Sequence, residues 1–135
     1  MFYKKNQSKK LNKQLFFNPT SEYRGTPFWA WNCKMDIEIL DEQIEYLNEM
    51  GFGGFHMHSR TGMAVPYLGE EFMNLVKFCT NKAKSKNMLA YLYDEDRWPS
   101  GTAGGFVTRN PRYRARYIEF SLNKESHFPM EEALN

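Results

Sequence analysis

The feature that most constrains the fold is residues 88–105, MLAYLYDEDRWPSGTAGG, where an apolar run leads directly into charge. A short apolar run bounded by turn residues is typical of a buried strand. Three acids and a base follow it, Asp94-Glu95-Asp96-Arg97, and then Trp98 and a Pro-Ser-Gly break. Charge is costly to bury without a partner, and ligands of α/β proteins bind at the carboxyl ends of strands. The stretch therefore predicts a strand that carries an acidic, aromatic site to the mouth of an α/β protein.

A solvated, salt-bridged loop is the alternative interpretation of the same charges, because charge runs usually lie in water. The rings of Tyr93 and Trp98 flank the charges, however, and aromatic rings beside a few polar groups suit a bound sugar or other polyol. We therefore favour a binding site.

Two amphipathic segments alternate with three apolar runs along the chain. Strands are predicted at 26–32, 52–58 and from Met88 onwards, and helices at 36–50 and 70–86. The inner faces of the two helices are formed by apolar residues at helical spacing: Ile37, Leu40, Ile44 and Leu47 in the first, and Phe72, Leu75, Val76, Cys79 and Ala83 in the second. The order β-α-β-α-β with short links predicts an α/β fold with a parallel sheet. A short helix at Asn110-Pro111 and a half-buried strand over 118–123 are expected to follow.

Composition limits the classes of partner. The 135 residues suffice for one domain, and 18 basic against 16 acidic side chains give a net charge of +2, which offers no electrostatic case for nucleic acid or an anionic membrane. No stretch is long and apolar enough to span a bilayer or to serve as a signal peptide, so we expect a cytoplasmic protein. The two cysteines, Cys33 and Cys79, form no CxxC motif. Residues 1–16 hold five lysines and are expected to be a flexible basic tail.

The histidines His56 and His58 are spaced by two, so both side chains leave a strand on the same face. A metal site is one interpretation, but it needs further ligands, and the remaining histidine is His127. We expect a ligand-contacting or hydrogen-bonded pair and no metal or other cofactor. A satisfied core histidine fits His56 better than His58.

Strand alternation also limits where the carboxylates can point. Asp94 and Glu95 are neighbours in a strand and point to opposite faces, although either can turn inwards where the strand ends. Arg60 and Arg97 are natural partners that would keep such carboxylates ionised. An ionised, arginine-paired carboxylate suits binding of hydroxyl groups better than general acid catalysis.

The first strand contributes two tryptophans on one face. At least one of Trp29 and Trp31 is expected in the core. Trp31 and Asn32 end this strand, so we expect them to reach the mouth of the fold.

Together these residues resemble bacterial glycoside hydrolases related to α-L-rhamnosidases. The matching segments are 18–19, 23–32, 51–60, 66–68 and 93–101, and the most specific are PFWAWN at 27–32 and YDEDRWPSG at 93–101. The resemblance implies that residues 17–118 are the N-terminal part of a (β/α)8 TIM barrel, roughly its first three β/α units, with 119–135 as a strand and polar tail. It also implies a substrate-lining role for Trp31, His58, Arg60, Asp94, Glu95 and Trp98.

The resemblance assigns no catalytic carboxylate, because the general acid and base of the family are expected on later strands. A full barrel takes about 250 residues, so we expect a fragment or truncated product of a hydrolase of O-glycosidic bonds, inactive alone, whose sugar and linkage stay open. One alternative is a non-catalytic carbohydrate-binding module, or a module that self-associates through the open barrel edge. The other is a metal-dependent hydrolase that uses His56 and His58.

Overall fold

The computed structural model describes residues 9–10, 12–97, 101–118, 120 and 122. Its three strands and two long helices alternate as the sequence predicts, with boundaries one or two residues inside the predicted ones at most ends. The helices and strands are α1 (Lys13–Phe17), β1 (Phe28–Trp31), α2 (Ile37–Glu49), β2 (Gly54–Ser59), α3 (Glu70–Ser85) and β3 (Leu89–Asp96), with single 3-10 turns at Ser21–Tyr23 and Pro111–Tyr113.

The strands form one open parallel sheet in the order β1-β2-β3. Within the described residues β2 is therefore central, and β1 and β3 each keep one unpaired edge. Phe28 lies opposite His56 and Ala30 opposite His58. The predicted α/β class and parallel strands are confirmed, and the sheet formed by these residues is not closed into a barrel.

The core lies between the sheet and the helices α2 and α3. Residues at alternate positions of the strands, among them Trp31, Phe55 and Met57, pack with the inner faces of the helices. Ile44 of α2 and Phe72 of α3 are almost fully enclosed. The predicted helical stripes are confirmed except at Ile37, which begins α2 and is 47% exposed.

The links that follow the two long helices each contain a residue with left-handed backbone. Gly51 after α2 has φ of +84° and Asn87 after α3 has φ of +55°, which are conformations that glycine and asparagine adopt most easily. On the outer surface Lys82 of α3 pairs with Asp41 and Glu45 of α2 at 2.7 and 2.8 Å. These ion pairs hold the two helices side by side against the sheet.

The other side of the sheet carries no helix within the described residues. It exposes apolar and aromatic side chains. Phe28 is 52% exposed, Tyr91 41% and Tyr93 38%. This face of the sheet therefore presents aromatic rings of strand residues to solvent.

The segments that precede and follow the sheet in the sequence differ more from the prediction than the sheet does. The cap at Asn110 is confirmed, since its side-chain oxygen accepts from the Arg112 amide at 3.0 Å, but the helix after it is a single 3-10 turn. Half of the strand expected over 118–123 falls outside the described residues, and its described members Ile118, Phe120 and Leu122 are exposed and form no strand. Most of the predicted tail, residues 1–8 and 11, also lies outside them.

None of the helices in the described part of the chain has the length and apolar character needed to cross a membrane.

Candidate functional site at the carboxyl edge of the sheet

The loops after β1 and β2 are fastened to each other at the carboxyl edge. The Arg60 amide donates to the Trp31 carbonyl at 2.9 Å, and the Ala64 amide donates to the Cys33 carbonyl at 3.2 Å. Gly62 has φ of +103° and lies so close to the Asn32 carbonyl that a Cβ there would collide with it. These contacts keep Asn32, which is exposed, and Arg60, which is half-buried, at the mouth of the fold.

The end of β3 contains an irregularity that reshapes this edge. Met57 pairs with Leu92, and Ser59 pairs with Asp96. The single residue His58 therefore lies opposite three residues of β3: Tyr93, Asp94 and Glu95. Bulges of this kind re-aim side chains and are common beside functional sites.

Asp96 is the carboxylate that fixes the bulge in place. It accepts a hydrogen bond of 2.6 Å from the hydroxyl of Ser59 and lies 3.3 Å from the Arg97 guanidinium. Arg97 itself has left-handed backbone, with φ of +65°, and its amide donates to the Ser59 carbonyl at 3.0 Å. The predicted pairing of Arg97 with a carboxylate is thus observed at Asp96.

His58 is enclosed on the open side of the sheet. Only 2% of it is exposed, and its ring centroid lies 4.5 Å from that of Phe28 and 4.3 Å from that of Tyr93. Burial lowers the pKa of His58, and the nearby charge of Arg60 lowers it further, against the opposing charges of Glu95 and Asp96. A pKa below the ordinary value favours the neutral imidazole at neutral pH, and its Nδ1 has no hydrogen-bond partner within the described residues.

His56 is a satisfied histidine, as predicted. Its Nδ1 lies 3.1 Å from the Thr26 carbonyl, and its ring stacks on Tyr91 with centroids 4.5 Å apart. His58 is nonetheless the more enclosed of the two, because two rings cover it. Within the described residues no three or more His, Cys, Asp and Glu side chains are arranged to hold a metal ion.

The two neighbouring carboxylates of the bulge differ in burial. Asp94 is exposed, whereas Glu95 is 8% exposed and its Oε1 is enclosed without a hydrogen-bond partner within the described residues. Glu95 is therefore the one of the two whose side chain is enclosed.

Three expected site residues remain: Trp31, Asn32 and Trp98. Trp31 packs on the helix side of the sheet, with its ring 5.7 Å from those of Trp29 and Phe72, so it is a core tryptophan. A substrate contact for it stays a prediction, as does one for Asn32 at the rim. Trp98 lies outside the described residues.

Tyr67 is a residue of this edge to which the sequence analysis assigned no role. It is buried, its ring packs on Phe72 with centroids 5.3 Å apart, and a Cβ added at Gly104 would lie 2.8 Å from it. Burial raises the pKa of Tyr67, and the charges of Asp96, Asp94 and Glu95 raise it further. A loop residue has no periodicity to reveal it, and in the sequence it is marked by its aromatic character beside Pro66 and by its place in the matching segment 66–68.

Comparison with known proteins gives one relevant similarity. No family model matches the chain, and no curated protein matches it. Among solved structures, the rhamnosidase from Novosphingobium sp. PP1Y superposes with a TM-score of 0.53 at 17% sequence identity over 64% of this chain. The matched region is 9% of that rhamnosidase, so this chain spans less than a tenth of its length. The matched 64% of this chain therefore shares its fold with a small part of that protein.

Proposed function

We propose that this chain is the N-terminal portion of a glycoside hydrolase of the α-L-rhamnosidase type. In this proposal its sheet is the first part of a (β/α)8 barrel that acts on O-glycosidic bonds. The motif resemblance at 27–32 and 93–101 supports the family, and the fold similarity to part of a rhamnosidase supports the architecture. At 17% sequence identity the structural similarity is evidence for the fold alone.

The observation that carries the proposal is the grouping of His58 and Glu95 beside aromatic rings at the carboxyl edge. Both are buried polar residues with an unpaired polar atom within the described residues. Ligands bind at this edge in parallel α/β proteins, and sites for small polar ligands combine apolar walls with a few placed polar groups. A sugar ring offers both hydroxyl groups and apolar faces.

The proposed role of each residue follows from its position at the carboxyl edge of the sheet. Arg60 and Asp94 are accessible at the rim, where they reach substrate hydroxyls, while Tyr93 supplies an aromatic wall. Trp31, Asn32 and Trp98 are retained as candidate contacts from the sequence. Hydrolysis requires two carboxyl groups placed across the scissile bond, roughly 5–5.5 Å apart for retention and 6.5–9.5 Å for inversion. We assign neither group to this chain, so we propose that it binds sugar without hydrolysing it.

The test combines turnover and affinity on the full chain. An aryl α-L-rhamnoside should not be hydrolysed, and methyl α-L-rhamnoside should bind in a calorimetric titration. Arg60→Ala and Asp94→Ala should weaken that binding by about tenfold each, because hydrogen bonds to charged groups contribute about 1.5–3 kcal/mol, with little change in melting temperature. Lys84→Ala, on the exposed face of α3, is the matched control. Equal affinity in all variants, or a large loss of stability with unchanged affinity, would refute the assigned roles.

A self-associating module is the second function that a specific observation favours. The open face exposes Phe28, Tyr91 and Tyr93, and β1 and β3 each present an unpaired edge within the described residues. Exposed apolar faces and free edges promote association, and burial of apolar area contributes about 25 cal/mol per Å². Light scattering over a concentration series separates this function from the first, since growth in mass without sugar binding favours it.

A further inference from the structure

Among the described residues, two enclosed polar atoms have no hydrogen-bond partner where β2 joins β3. They are Nδ1 of His58 and Oε1 of Glu95, and neither makes a hydrogen bond within the described residues. The two residues are only 2% and 8% exposed. Nearly all enclosed polar groups of native proteins are paired, so such exceptions call for a physical explanation.

The register of the sheet places these two residues next to each other. Ser59 and Asp96 are opposite each other and joined by a side-chain hydrogen bond, so both side chains lie on the same side of the sheet. The residue before each, His58 and Glu95, therefore lies on the other side. The charge of Glu95 also acts on the His58 imidazole. The bulge at Asp94 and Glu95 thus presents a carboxylate to a neutral imidazole.

We propose that His58 and Glu95 form a receptor for one hydroxyl group of a sugar. The hydroxyl donates its hydrogen to Oε1 of Glu95 and accepts one from Nδ1–H of His58. The carboxylate only accepts, the neutral imidazole donates from one nitrogen, and a hydroxyl does both at once. An anion would be repelled by Glu95, and an ammonium group has no lone pair to accept from the imidazole.

The aromatic surroundings fix the geometry of this receptor. Phe28 and Tyr93 hold the His58 ring from two directions, with centroids at 4.5 and 4.3 Å. Side chains locked by packing keep their polar atoms in place for a ligand. This inference rests on the proposed function only for the choice of sugar used in the test.

The experiment is a double-mutant cycle between the protein and the sugar. Methyl α-L-rhamnoside and its 2-, 3- and 4-deoxy derivatives are titrated into the full chain and into Glu95→Gln, with Glu49→Gln, at an exposed position of α2, as the control that removes the same charge. One deoxy sugar should bind the unaltered chain at least tenfold more weakly than the parent sugar. That difference should vanish in Glu95→Gln and in His58→Phe, and persist in Glu49→Gln.

A second measurement needs no sugar. Glu95→Met removes the unpaired carboxylate, so the melting temperature of the sugar-free chain should rise by about 4–8 °C. A fall in melting temperature would show that Glu95 is structural and would overturn the inference.

The outcomes separate this inference from the proposed function. If the deoxy sugar loses the same affinity relative to the parent sugar in the unaltered chain and in Glu95→Gln, His58 and Glu95 bind a fixed water and not a sugar hydroxyl. This result would overturn the inference and leave rhamnoside binding itself in place. The same cycle with methyl α-D-mannoside decides the converse: coupling there without rhamnoside binding keeps the receptor and refutes the rhamnosidase assignment. If neither sugar binds, both proposals fall.

Discussion

The hydroxyl of Ser59 donates a 2.6 Å hydrogen bond to Asp96, and this contact joins the carboxyl ends of β2 and β3. Ser59 is almost fully buried, and its partner stands at the far side of the bulge from Leu92. The contact therefore sets where the bulge ends and which way Glu95 turns.

Ser59→Ala should lower the free energy of unfolding by about 1–3 kcal/mol, because it leaves a largely enclosed carboxylate without its hydroxyl donor. Urea denaturation measures this loss. Asp94→Asn removes an exposed carboxylate two residues before Asp96 and should change the free energy of unfolding by less than about 0.5 kcal/mol. Equal effects at the two positions would mean that the bulge does not depend on the Ser59–Asp96 contact.

Stability should depend on pH through His58. Its pKa is lowered by burial from the ordinary value of 6.5, so the unfolded chain takes up a proton at a higher pH than the folded one. The contribution of the neutral His58 imidazole to stability should therefore be fully present above pH 6.5, and this contribution should be lost as the pH falls through the folded pKa.

Denaturant unfolding between pH 4 and pH 8 measures this dependence, with His58→Phe as the comparison. The variant should show a smaller decrease between pH 6.5 and the folded pKa than the unaltered chain. Identical pH profiles would show that the imidazole is not buried as the structure has it.

The core should be sensitive at Phe72 of α3. Its ring packs against Trp31 and Tyr67, and 1% of the residue is exposed. Phe72→Ala should lower the free energy of unfolding by about 3–5 kcal/mol, because it removes a large buried side chain and leaves a cavity. Met73→Ala, at the adjacent and 44% exposed position, is the control and should cost about 0.5 kcal/mol or less. A small loss at Phe72 would contradict the packing of α3 on the sheet.

The two thiols should react very differently. Burial raises the pKa of Cys79 to about 12, whereas Cys33 is exposed. Iodoacetamide at pH 8 should therefore alkylate Cys33 alone in the folded chain, because the thiolate is the reacting form. Mass spectrometry counts the modified sites, and both should be modified in denaturant. Rapid modification of Cys79 in the folded chain would contradict its place in the core.

The sequence predicted the layered α/β fold because periodicity reports on burial. The stripe through Leu40 and Ile44 and the run that starts at Met88 both reflect an environment that is apolar on one side or on both. The left-handed links at Gly51 and Asn87 were predictable for the same local reason, since few residues adopt that backbone.

The candidate site was predictable in its location but not in its detail. Strand alternation alone cannot reveal the bulge that places three residues opposite His58, because its register is set by the distant contact of Ser59 with Asp96. For the same reason the sequence did not distinguish the buried Glu95 from the exposed Asp94. Trp31 was expected at the mouth from its position in the strand, yet its side chain lies in the helix-facing core.

The most direct test of the central claim is an NMR titration of the full chain with methyl α-L-rhamnoside. The account predicts that amide and imidazole signals shift at His58, Arg60 and Glu95, at the carboxyl edge of the sheet, while signals of the ion-paired surface around Lys82 stay in place. Shifts confined to the helical surface, or no shift at any concentration of the sugar, would contradict a carbohydrate site at this edge.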